Sequence, residues 1–558
     1  MNSLNIVIVL CLLLSPVLPL SAYEIAKKGI FHKSLPITPK VLNPLIADDV
    51  VSSGFSNLFW TNLMELDHNT LKYHPALADK VEVSSDKKTY KVFLNKKAKW
   101  QDGSLVTSKD AEFTYNTIMN PKNFTAVLRT YLSGMKFRYI DKITFELSFE
   151  KPNFNTYHSI MGLFVIIQKK QYEKEKNFNN ASANMNPIGN GPYSLKTLRR
   201  GDRVILTRNK NWWGYELSYF KNRYNFDELV FKIISDTKLE YEKFLKKEID
   251  YIDFTNDIDT WVSKVEGVDK GHFEPNGDLV KVKASNDAPK SYHFIGWNEK
   301  KSLFNSKNVR TALSHAVDYN RIINDIYKGM YVQAISPFGT FGPNTSPKIQ
   351  KNKITYNLKV AYEILKKEGW FIKGSKLLKQ VEKEHPKKLR RSQKQFEFDL
   401  LVNTENPARL KVAQLLQNDF GKIGIKMNVV SVQWNVLLDR VSKREFDAVL
   451  LGWAGGLFPN PRQLWHSKSD VKGGSNIIGY SNKEVDSLIE NANHTFDLKK
   501  HQKILQKISE IIYEDQPYTF LVETKYYLEG LNPRIDAIEV VEKYAGSALT
   551  LDLLYLKK

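Results

Sequence analysis

Between residues 396 and 451 the chain alternates strand-like and helical segments, and this rhythm constrains the fold more than any other feature. Phe396 to Val402 is strand-like, Pro407 to Phe420 has helical periodicity, and Ile425 to Val432 is strand-like again, with Gly421 and Gly424 at the junction. Such an order predicts a βαβ unit, because parallel strands need a long crossover between them. A second helix, around Trp434 to Arg444, leads into the apolar run Ala448-Val449-Leu450-Leu451, which suits a strand buried on both faces. The C-terminal third therefore predicts an α/β lobe.

With 558 residues the chain is too long for one ordinary domain, and two or three packed units are expected. An apolar share of 42% with 12% aromatics supplies sizeable cores and excludes a mainly disordered or fibrous chain. The lone cysteine, Cys11, excludes a disulfide framework, a zinc-thiolate cluster and a cysteine nucleophile anywhere beyond residue 11.

Cys11 lies in the first apolar run, Ile6 to Leu14, which is followed by Ser15-Pro16, Pro19 and the small pair Ser21-Ala22. Nine apolar residues suit a signal-peptide core and are too few to span a bilayer. Cleavage after Ala22 is expected, giving an exported, water-soluble chain from near Tyr23. Met1 to Asn5 holds no Lys or Arg, which leaves an uncleaved anchor as the alternative. Cys11 is a poor lipidation site, since Ile8-Val9-Leu10 before it are large.

Elsewhere local signals are clear. Val81 to Val83 and Thr89 to Leu94, separated by Ser84-Ser85-Asp86-Lys87-Lys88, read as a hairpin. Thr107-Ser108-Lys109-Asp110 has capping-box form and opens a helix with Ala111, Tyr115 and Ile118 on one face. Arg203 to Arg208 and Asp227 to Ile234 read as strands, and Lys238 to Lys247 as a helix. Ser306 and Asn357 are helix caps. Residues 373–394, with nine Lys/Arg against two Glu, read as a solvated insertion loop.

Several blocks taken in order resemble the bacterial extracellular solute-binding proteins of family 5, receptors that deliver oligopeptides, dipeptides and other solutes to ABC importers. These are Pro39 to Pro44; His74-Pro75-Ala76-Leu77-Ala78 with Val81 to Ser84; Trp100-Gln101-Asp102-Gly103 and Ser108 to Met119; Asn186 to Tyr193; Arg208-Asn209 with Trp212-Trp213-Gly214; Phe294 to Asn298; Asn308 to Leu313 with Ala316-Val317-Asp318; Phe446 to Trp453; Trp465-His466-Ser467; and Glu514 to Tyr518. Each block alone also has a bland reading as a turn or a core tryptophan. The series spans roughly residues 36 to 545.

The resemblance implies an α/β, two-lobed periplasmic-binding-protein fold of the Venus flytrap kind, class II-like, with an additional domain inserted in the N-terminal lobe. Transferred to this chain, lobe I would combine residues 23–58, 186–286 and 522–558, the insert would be 59–185, and lobe II 287–521. A peptide, expected to be an oligopeptide, would lie between the lobes and be delivered to an ABC-importer permease in the inner membrane by a monomeric periplasmic receptor. No cofactor, metal or catalytic residue is expected.

Three segments are the expected cleft. Asp48, Asp49 and Val50 follow the opening turn; Tyr292, Phe294 and Asn298 lie near the crossing into lobe II; and Trp453, Ala454, Gly455, Gly456, Leu457 and Phe458 follow the buried strand. Trp453 divides evenly between core and cleft wall. Many peptide-binding members carry an Asp shortly after this Gly-Trp, paired with the ligand α-ammonium, but here no carboxylate follows until Asp470. Either another acid such as Asp48 or Asp49 takes that role, or the ligand lacks a free amino terminus there.

Other functions have less support. The chain holds no G-x-S-x-G, H-E-x-x-H, P-loop or post-strand G-x-G-x-x-G motif, and its 11 His form no metal-ligand pair, which argues against an enzyme. The net charge of +21 raises nucleic-acid binding, but the charge is spread over the chain with no accompanying motif, and a solvated face explains it better. Attraction to anionic membranes and a cleft favouring acidic ligands stay open. So does a receptor role for a sugar, nickel or haem.

Overall fold

The computed structural model describes residues 28–266, 272–273, 279–383, 390–538, 543–544, 546–547 and 549–557. The expected signal peptide, 1–22, lies outside the described residues. Among the described residues no helix is long and apolar enough to cross a membrane.

Two large sheets organise the chain. One has eight strands in the order His272–Phe273, Leu279–Ala284, Tyr527–Leu531, Tyr251–Asp253, Ile30–Leu35, Glu228–Ile233, Arg203–Arg208 and Tyr193–Arg199. The other has six, ordered Tyr331–Gln333, Tyr518–Thr524, Tyr292–Trp297, Ala448–Trp453, Glu397–Asn403 and Lys426–Val432. The chain passes between them twice, from Ala284 to Tyr292 and from Thr524 to Tyr527. Each sheet anchors one lobe.

The βαβ unit is the parallel part of the six-stranded sheet. Glu397–Asn403 pairs in parallel with Lys426–Val432 and with Ala448–Trp453. Its crossover helix, Pro407–Gly421, opens with Pro at its first position and with the Asn406 side chain accepting from Arg409 N. Alternation then distributes the neighbouring strand between two cores. Ile295 and Trp297 enter one apolar cluster, with Leu313 and Leu416, whereas Tyr292 and Phe294 enter another, with Leu505 and Ile512. A strand covered on both faces must be apolar on both, which is why Phe294-Ile295-Gly296-Trp297 shows no polar alternation.

A third body carries the four-stranded sheet Ala78–Val83, Thr89–Leu94, Thr144–Ser148 and Lys136–Asp141, with the helix Ser108–Met119 against it. Asp110 reaches back as the capping box predicts and accepts from Thr107 N at 2.9 Å. The core of this body is continuous with that of lobe I: Phe145, Trp60, Tyr193 and Phe231 belong to one buried cluster. The insert therefore packs on lobe I through one shared core. The junction is sealed by backbone. A Cβ on Gly189 would stand 1.9 Å from Phe59 O, and one on Gly191 2.6 Å from Phe59 C, so only glycine permits this approach.

Residues 373–394 depart from expectation. Instead of a loop, the strands Trp370–Lys373, Lys376–Lys383 and Arg390–Gln395 form an antiparallel three-stranded sheet, with 384–389 outside the described residues. Leu377 and Leu378 are buried, and Leu377 hydrogen-bonds by backbone to Gly424, which moors the sheet to lobe II. Few described positions on these strands are buried, so the strands lack the apolar alternation from which they could be read.

Candidate functional site

A cavity of about 730 Å³ opens between the lobes, within the ~300–1,000 Å³ typical of ligand sites. Its walls come from lobe I and the insert on one side, and from the loop after Ala448–Trp453 on the other, with Ala288 and Pro289 of the crossing segment between them.

The lobe II side is a short loop of which Gly455, Leu457, Phe458 and Asn460 line the cavity. Its first residues, Ala454, Gly455 and Gly456, are exposed. A Cβ on Gly455 would lie 2.1 Å from Pro289 O, so the loop can seat against the crossing segment only as glycine. Gly456 meets nothing, and its Cα faces open space.

The opposite wall carries the charge and most of the rings. Glu65 stands on the short strand Met64–Leu66, paired to Tyr73–Pro75 with Glu65 opposite His74. Its carboxylate accepts from Asn62 N at 3.2 Å and Asn62 Nδ2 at 3.4 Å. Burial pushes this carboxyl up to about 7, and nearby Asp552 adds to the rise. Arg223 is ion-paired with Asp552 and lies over the Tyr219 ring, its Cζ 4.5 Å from the centroid. The Tyr73 and Tyr224 phenols are pushed up by burial, with Glu65 contributing.

A second group surrounds Lys33, on Ile30–Leu35. Its Nζ sits 4.1 Å from the centroid of the Tyr251 ring. Tyr251 Oη and Ser547 Oγ both donate to Glu529 Oε1, at 3.0 and 2.5 Å. Burial lowers the Lys33 ammonium against the raising influence of Asp253, Glu529 and Glu240, and pushes Glu529 up to about 7.

The far rim is shut by contacts between the insert and lobe II. The His158 ring stacks on Phe458 with centroids 3.5 Å apart, and its Nδ1 lies 3.0 Å from Tyr73 Oη. Burial pushes the imidazole down to about 4, so it is neutral in this contact. Phe154 N donates to Asn493 O at 2.7 Å and the Phe154 ring stacks on His501 at 3.9 Å. Tyr131 Oη donates to Gln463. The lobes therefore meet at the crossing segment and at the rim, with the cavity between these contacts.

The expected cleft residues divide sharply. Gly455, Leu457 and Phe458 line the cavity; Ala454 and Gly456 flank them. Trp453 packs on the lobe II core, its indole N–H donating to Tyr518 Oη at 3.2 Å. Phe294 is buried, with its ring 3.9 Å from that of Tyr518, and Tyr292 is buried in the same cluster. Asn298 is buried too, and its amide donates to Phe446 O at 2.8 Å, which ties the end of its strand to the next one. Asp49 accepts from Val51 N and Ser52 N at 3.0 Å each as the cap of the helix Val50–Ser53. Asp48 faces Lys40 at 3.8 Å, and Val50 is exposed on the surface. None of Asp48, Asp49, Val50, Tyr292, Phe294, Asn298 or Trp453 is among the cavity-lining residues. Glu65, Tyr73, His158, Arg223 and Asp552 line it and carry no sequence period that marks them. Among the described residues no group of three His, Cys, Asp or Glu is placed to hold a metal ion.

Residues 72–475 match the family described as bacterial extracellular solute-binding proteins, family 5 Middle. The chain belongs to this family. Among its family 5 relatives, the oligopeptide-binding protein AppA of Bacillus subtilis (strain 168) is 28% identical over 495 residues, covering 87% of this chain and 84% of AppA. The dipeptide-binding protein of Escherichia coli (strain K12) is 23% identical over 518 residues, 88% of each chain. Heme-binding protein A of Haemophilus influenzae is 24% identical over 537 residues, 92% of this chain and 88% of that protein. The fold is that of B. subtilis AppA in complex with a nonapeptide: the TM-score is 0.81 at 24% identity, covering 96% of this chain and all of that one. A two-lobed α/β solute-binding fold thus holds for this chain.

Proposed function

We propose that this protein captures a peptide between its lobes and delivers it to the permease of an ABC importer. The observation that carries the reading is the cavity between lobes that meet at both crossing segment and rim, in a family 5 chain similar to oligopeptide- and dipeptide-binding proteins. Contacts to both walls exist only when the lobes meet, so ligand favours closure. The exposed backbone of Ala454-Gly455-Gly456 offers hydrogen-bonding groups to an extended ligand without reading its side chains. We take residues 23–58 and 186–286 with the segment after Thr524 as lobe I, 59–185 as the insert and 287–524 as lobe II, the expected boundary at 522 moving to 524 because Val522–Thr524 complete a strand of the six-stranded sheet, and the protein as a monomer working outside the cytoplasmic membrane after export through 1–22. No step in this role calls for catalysis.

The test is to unfold and refold the purified protein to strip carried ligand, then to offer peptide pools and read retained mass by native mass spectrometry. Peptide retention is expected. Retention of a haem, a nickel complex or a sugar with no peptide would overturn the reading.

A further inference from the structure

We propose that Glu65 receives a cationic group of the ligand, an ammonium or a guanidinium, on the lobe I side of the cavity. This rests on the peptide-receptor reading and names a group that the receptor selects.

Glu65 lines the cavity, and among the described residues its oxygens accept only from the Asn62 amides, at 3.2 and 3.4 Å. Among the described residues no Lys or Arg lies within ion-pairing distance of it. The neighbouring cation, Arg223, is committed to Asp552. Arg223 acts on Glu65 from a distance while ion-paired to Asp552, burial still raises the Glu65 carboxyl, and a ligand cation beside it would favour its charged form. The surroundings fit a cation. Tyr73 and Tyr224 line the same wall, and aromatic rings attract ammonium and guanidinium groups. An anionic ligand group placed here would face Glu65 and Asp552 together. The overall +21 therefore does not make this end of the cleft an anion trap. Lobe II offers no carboxylate in the 454–460 loop, and the acid that a charged ligand needs stands on the opposite wall.

Two sources supply such a group: the amino terminus of a peptide, or a Lys or Arg side chain. Three pools of peptides of one length separate them. The first has free amino termini and no Lys or Arg, the second is the same pool N-acetylated, and the third is N-acetylated with one Lys. Ligand-stripped wild type should hold the first or the third at least about tenfold more tightly than the second, the size expected of a hydrogen bond to a charged group. Glu65→Gln should shrink that preference to about twofold or less without weakening the second pool, and Glu65→Asp should keep it. Melting temperatures check that both variants fold. Should Glu65→Gln not fold, the wild-type pools still decide: equal binding of all three overturns the assignment of Glu65 while leaving peptide binding intact. A preference that survives in Glu65→Gln overturns it as well. Wild type that holds none of the pools defeats the peptide reading itself, and this inference with it.

Discussion

The two walls of the cleft are built of different material. The lobe I and insert wall holds Glu65, Arg223, Asp552 and Lys33 among tyrosines, each charge held in place by a core shared between two bodies. The lobe II wall is the uncharged run Ala454 to Asn460, seated by backbone contact. Fixed charges need a rigid frame, because a buried carboxylate is tolerable only where its partners do not move. A loop that must swing onto a ligand is better without them, since each closing and opening would dehydrate and rehydrate the charge. The difference assigns selection to one wall and closure to the other.

Breaking the closing wall should have the largest effect. Gly455→Val places carbon where Pro289 O already is, 2.1 Å from the added Cβ, and neither backbone can yield without moving a lobe. Peptide affinity by calorimetry should fall more than about tenfold, with a stability loss of about 1–3 kcal/mol from overpacking. Unchanged affinity would show that the loop does not seat on the crossing segment. Gly456→Ala, one residue on, is the control and should be nearly silent because its Cβ meets nothing.

The selecting wall should break next. Arg223→Met leaves Asp552 without its cation, beside Glu65. Both partners are partly solvated, so the expected cost in urea denaturation is about 1–3 kcal/mol, below that of a fully buried pair. Adding Asp552→Asn should recover much of the loss. If the double variant is as unstable as the single one, the pair is not what holds this wall.

A smaller effect isolates Glu65 by pH. Its carboxyl rises from 4.5 to about 7 on folding, with burial the main cause. The folded state therefore binds the proton more tightly, and stability from this group is complete below about 4.5 and is lost as pH climbs to about 7. Glu65→Gln mimics the protonated form and escapes that loss. The melting temperature of Glu65→Gln relative to wild type, both free of ligand, should therefore rise between pH 5 and pH 8. A flat difference would mean that Glu65 is not titrating in the cavity.

The fold was legible where period and capping agree. The βαβ unit, the hairpin of Ala78–Val83 with Thr89–Leu94, and the caps Thr107, Ser306 and Asn357 are local features, and tertiary packing reinforced each of them. The basic strands Lys376–Lys383 and Arg390–Gln395 were not, because a solvated sheet needs few apolar residues and so leaves little pattern. The cavity was legible only in part. The Gly-Trp run led to Gly455 and Phe458, but Asp49 and Asn298 are polar groups that hold backbone, as caps and strand ends commonly do. Glu65 sits on a three-residue strand that has no period, and its neighbours Tyr73, Arg223 and Asp552 come from separate segments.

The basic sheet offers the smallest effect and the sharpest contrast with the walls. Lys373, Lys376 and Lys394 are exposed and belong to strands moored on lobe II, and none of them lines the cavity. Exposed charges act on a ligand only through salt-screened fields that fade over about 8–10 Å at moderate ionic strength. Replacing all three by Gln lowers the formal charge from +21 to +18. It should shift stability by no more than about 0.5 kcal/mol per site and leave peptide affinity at physiological salt unchanged. If affinity for peptides falls with that charge while Glu65→Gln has no effect, selection resides in the field of the whole surface, and the division of labour between the two walls is wrong.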